Sequence, residues 1–149
     1  MRKTKIKDTQ TVAEGRGMDR IRERDLAFKL LYEMTIKKEE EPSQAKIYLQ
    51  REGVSEGYIP EVIERYLENK DEILALIQKS SKKWDVSRIL KLDITILKLA
   101  LAEILYMQDI PMGVSINEAV KLAKKYSGED SYKFVNGILK QATVEKGLQ

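Results

Sequence analysis

Residues 93–107 read DITILKLALAEILYM, and this stretch decides the fold. Ile94, Ile96, Leu97, Leu99, Ala100, Leu101, Ile104 and Leu105 occupy most of a helix circumference instead of one stripe. A helix that is apolar nearly all round has to be surrounded by others, so 93–107 is predicted to be the central helix.

Working outward, the periodicity predicts six more helices. Asp19 is the expected N-cap of a helix over 20–38, whose Leu26, Ala27, Leu30, Leu31 and Met34 share a face. Glu39-Glu40-Glu41-Pro42 ends it, and the acidic triplet reads as solvated. A short helix follows at 43–52, then a longer one at 58–80 with Pro60 in its first turn, where a missing N–H costs nothing. Asp85 caps a short helix to 91. Beyond the loop 109–113, Ser115-Ile116-Asn117-Glu118 has the form of a capping box, and Lys121, Lys124 and Lys125 face solvent. Asp130 is the expected cap of a last helix over 131–144, within which Gly137 implies close helix contact. The reading is all-α, about seven helices in two packed halves near 19–80 and 84–145, joined at Ser80-Ser81-Lys82-Lys83, behind a flexible basic arm over 1–18.

Composition removes most chemistry. Among 149 residues there is no histidine and no cysteine, which excludes disulfides, thiolate nucleophiles, imidazole bases and Cys/His metal sites. No glycine-rich phosphate loop, GxSxG elbow or metal-ligand cluster is present, so neither enzyme activity nor a cofactor or metal is expected. No stretch reaches the length of a membrane span and no export signal follows the basic N-terminus, so the chain reads as cytoplasmic. Charge is uneven. Residues 1–24 hold eight basic side chains against four acidic ones, and the remainder hold 19 against 20. A basic end on a near-neutral body points to a polyanionic partner. The competing reading is a helical protein-interaction module with an incidental basic tail.

Two segments carry the binding signal. Arg20, Arg24, Phe28 and Tyr32 lie four residues apart, a ridge that Arg16 extends, with Arg22 on the other side. Guanidinium forks followed by aromatic rings suit phosphates with unstacked bases nearby. The second segment, YSGEDSYKFVNG (126–137), places Lys133 near a helix start, where the macrodipole favours an external anion.

At these residues the chain resembles the NusB family of bacterial transcription antitermination factors. SINEAVKLAKKYSGEDSYKFVNGIL (115–139) resembles that family's C-terminal signature and RERDLAFKLLYEM (22–34) its N-terminal helix, with Asp25 in place of the usual glutamate. Trp84, Arg88 and Asp93 also fit. The resemblance implies two packed three- to four-helix halves and no catalysis. It also implies binding to the single-stranded boxA element of ribosomal leader RNA, together with NusE (a small-subunit ribosomal protein) and the RNA polymerase antitermination complex. By resemblance the RNA-binding positions are Arg20, Arg22, Arg24, Tyr32, Asp130, Ser131, Lys133 and Phe134, with Asp93 at a protein-partner or RNA position; Arg16, which extends the ridge by spacing, is counted with the RNA-binding residues. Ile21 and Glu23 interrupt the arginine run, and the arm before Arg16 is longer than the family pattern.

Overall fold

A computed structural model describes residues 18–83 and 85–148; Arg16 and the rest of the arm through residue 17, together with Trp84, lie outside the described residues. The helices are α1 (Arg20–Lys37), α2 (Pro42–Arg51), α3 (Tyr58–Glu68), α4 (Lys70–Ser80), α5 (Lys91–Tyr106), α6 (Met112–Tyr126) and α7 (Glu129–Glu145), with a 3₁₀ turn at Val86–Arg88. The described residues contain no strand, so the all-α expectation of seven helices holds. None of these helices is long and apolar enough to cross a membrane.

Packing divides the chain between Leu67 and Glu68. The first unit holds α1 to α3. Asp19 caps α1 as expected, its carboxylate accepting the Arg22 N–H at 2.9 Å. Ala27, Phe28, Leu30, Leu31 and Met34 of α1 and Val62, Ile63 and Tyr66 of α3 are all buried. The acidic triplet does more than keep a helix end in water. Glu39 accepts the Tyr48 hydroxyl, and Glu40 accepts those of Tyr66 at 2.8 Å and Thr35 at 3.0 Å. Buried tyrosines need acceptors, and two of the three glutamates supply them. Arg51 of α2 forks onto Glu33 of α1 at 2.9 and 3.2 Å while lying 5.0 Å from the Tyr48 ring centroid.

The second unit holds α4 to α7, with α5 at its centre. Every residue from Asp93 to Ile104 is buried, as the near-continuous apolar circumference requires. Lys146 and Tyr106 both reach Glu72 of α4, and Lys79 pairs with Glu145 at 3.4 Å.

Four local expectations are corrected. The helix expected over 58–80 breaks at Asn69, whose backbone leaves the helical region. Tyr66 and Ile73 are seven residues apart, a spacing that keeps helical phase, so periodicity cannot register the break. In consequence α4 packs with α5 and α7 in the second unit. Ser115 is not an N-cap. Helix α6 starts at Met112, and the Ser115 hydroxyl, buried, donates to Glu103 at 2.7 Å. Gly137 is exposed, and a Cβ there would meet nothing within 4 Å, so close helix packing does not explain it. Finally, Asp85 caps only the 3₁₀ turn, through the Ser87 N–H at 2.9 Å.

Two outcomes follow from these contacts. Ser115→Ala removes a hydroxyl donor from the buried Glu103 carboxylate and should cost about 1–3 kcal/mol in urea unfolding, while Asn117→Ala, at an exposed position of the expected capping box, should stay within about 0.5 kcal/mol. In the first unit, hydrogen bonds from Arg51 and then Lys37 hold the Glu33 carboxyl at about 2, below its usual 4.5. A depressed carboxylate contributes stability in full above its unfolded value and loses it as the pH falls toward the folded one. Glu33→Gln should therefore be less stable than wild type by about 1 kcal/mol near neutrality, screening included. Melts at decreasing pH should show the two converging between 4.5 and about 2. A gap that persists at the acid end would exclude the ion pair as its source.

Candidate nucleic-acid interface

The expected ridge on α1 exists as a line of residues, but the core takes its middle. Phe28 is buried, so the line it defines runs along the inner edge of the helix. Arg24, one turn earlier, is only 4% exposed, and its guanidinium lies 5.5 Å from the Tyr58 ring centroid. Tyr32, one turn later, is half-buried and stacks on Phe28 with centroids 6.0 Å apart. Arg20 is the exposed end. Its Nε donates to Glu23 at 3.1 Å and its guanidinium sits 4.6 Å from the same Tyr58 ring. Arg22 is exposed, as the helical repeat requires. Of the four arginines expected at an RNA surface, Arg20 and Arg22 present their charge outward, Arg24 turns it inward, and Arg16 is outside the described residues.

In the second unit the segment 130–134 is equally divided. Helix α7 opens at Glu129 with Gly128 as N-cap at φ 122°, a left-handed conformation that suits glycine. Asp130 is thus an exposed first-turn residue and not the cap, because the helix begins two residues earlier than its apolar positions imply. There its carboxylate faces the positive end of the helix. Ser131 is buried and donates to Asp93 Oδ2 at 3.0 Å, bringing two expected site residues together, α5 to α7. The other oxygen of Asp93, also buried, meets no donor among the described residues. Lys133 is exposed and Phe134 half-buried.

Sequence reasoning missed the cation–aromatic pairs. Lys124 on α6 lies 4.6 Å from the Tyr132 ring on α7, and Lys125 lies 5.1 Å from Tyr126. The second pair is adjacent in sequence and could have been noticed; the first depends on how α6 and α7 pack, which spacing does not reveal. Together with Lys133, the α6–α7 corner displays exposed cations beside aromatic rings, bounded by Glu129 and Asp130. Exposed cations hold a single strand's phosphates, and aromatic rings beside them can stack its bases.

Known proteins agree with this architecture. A sequence model described as "NusB family" matches residues 21–143. The transcription antitermination protein NusB of Acetivibrio thermocellus is 44% identical over 125 residues, covering 82% of this chain and 86% of that protein. The Clostridium novyi protein of the same name is 41% identical over 127 residues, covering 82% and 96%. Among solved structures, T. maritima NusB superposes with a TM-score of 0.72 at 35% identity over 86% of this chain and 92% of that one. The NusB of a crystal structure of antitermination factors NusB and NusE with double-stranded RNA superposes with a TM-score of 0.70 at 26% identity, over 86% of this chain and 99% of that one. With a family match across most of its length and relatives above 40% identity, the chain belongs to the NusB family.

Proposed function

We propose that this protein is a non-catalytic RNA-binding antitermination factor. In the cytoplasm it holds the boxA element of nascent ribosomal leader RNA, together with NusE, within the RNA polymerase complex. The observation that carries this reading is the likeness to a NusB solved with NusE and RNA. The distribution of exposed charge supports it. Arg20 and Arg22 on α1, and Lys133 with Lys124 and Lys125 at the α6–α7 corner, are exposed cations. Tyr32 and Phe134, both half-buried, offer ring edges to bases. Arg24 lies buried beneath the α1 surface, and Ser131 with Asp93 beneath the α7 surface; Asp130 limits the latter with like charge toward phosphate.

Titration of a boxA-like single-stranded RNA against a scrambled strand, at several salt concentrations, tests the proposal. Each phosphate neutralised on a single strand contributes about 0.7 to the log–log salt slope. Arg20→Ala should flatten the slope by roughly that amount with the melting temperature unchanged, because its side chain is exposed. Arg24→Ala should lower the melting temperature instead, since it removes a buried side chain. A salt-independent response, or no preference for the boxA-like strand in the presence of NusE, would favour the protein-interaction module.

A further inference from the structure

Two arginines of α1 converge on one ring. Tyr58 opens α3 directly after Gly57, whose φ of 99° turns the chain into the helix, and the tyrosine is 4% exposed. Its ring is therefore a fixed plate, 38 residues away in sequence, against which the start of α1 rests. The Arg20 guanidinium stands 4.6 Å from its centroid and that of Arg24 5.5 Å. Arg20 is also held at Nε by Glu23 at 3.1 Å. Among the described residues, its two terminal nitrogens donate to nothing. An exposed arginine has several rotatable bonds, and ordering them on contact costs affinity. Here the ring and the carboxylate have already ordered them, with the terminal donors left for an external acceptor.

We infer that Tyr58 is a positioning residue for RNA: it fixes the Arg20 guanidinium through its ring face, while buried Arg24 shares the same plate. This inference rests on the RNA-binding reading and adds to it a residue without direct RNA contact. Charge and orientation separate cleanly. Removing Arg20 removes a phosphate contact and changes the salt slope; removing the ring leaves the charge present but unordered, so affinity falls at constant slope.

The test uses the full chain and a boxA-like single-stranded RNA. Tyr58→Phe, which keeps the ring, should bind within about twofold of wild type. Tyr58→Leu should lose about fivefold with an unaltered salt slope, and should lose less than about twofold when introduced into Arg20→Ala. Because leucine at a buried site can unsettle the fold, a second series keeps the shape of the ring. Fluorinated phenylalanines incorporated at position 58 draw electron density from the ring face, and affinity should fall stepwise with each added fluorine while the melting temperature holds. If Arg20→Ala leaves RNA binding unchanged, the RNA reading of α1 falls and this inference with it. If binding depends on Arg20 but ignores fluorination, or Tyr58→Leu costs the same with and without Arg20, the role of Tyr58 alone is overturned.

Discussion

A carboxylate withdrawn from water must meet a donor, and the second unit is organised around that requirement. Helix α5 is buried on all sides from Asp93 to Ile104, yet it carries Asp93, Lys98 and Glu103 inside that span. Ser115 answers Glu103 at 2.7 Å and Ser131 answers Asp93 at 3.0 Å. Each hydrogen bond fixes the rotation of a neighbouring helix about its own axis. With Ser115 turned inward, Lys121, Lys124 and Lys125 of α6 face out. With Ser131 turned inward, Asp130 and Lys133 of α7 face out. The exposed chemistry of the α6–α7 corner is thus set by two hydroxyls that no partner can touch. An unpaired buried charge costs several kcal/mol, more than any surface contact returns, so the inward constraint prevails.

The same logic explains what could be read in advance. Helix α5 was legible because an apolar circumference has one solution, and α1 because Asp19 and the Leu26–Met34 face agree on one start and one orientation. The break at Asn69 was hidden by a seven-residue spacing that suits one helix or two. Ser115 and Asp130 were misread for a shared reason. Both occur in sequence patterns typical of N-caps, but one side chain satisfies a buried acid and the other lies in a first turn already begun. Local rules see the residues beside a serine, not the glutamate twelve positions earlier that claims its hydroxyl.

For the site, the four-residue ridge of α1 was correctly spaced, and its inward tilt follows from Phe28. What spacing could not give was Tyr58, whose loop brings it to Arg20 and Arg24. Side chains expected to act together therefore fall into two classes. Arg20, Arg22 and Lys133 reach solvent; Arg24, Ser131 and Asp93 are buried. A residue's place in a sequence motif and its exposure to solvent are separate properties here.

Hydrogen–deuterium exchange of the full chain, with and without a boxA-like single strand, tests that division most directly. RNA should slow exchange in the first turn of α1 and across the α6–α7 corner, leaving α2 unchanged. Protection confined to α2, or no protection at either cationic segment under saturating RNA, would contradict the account.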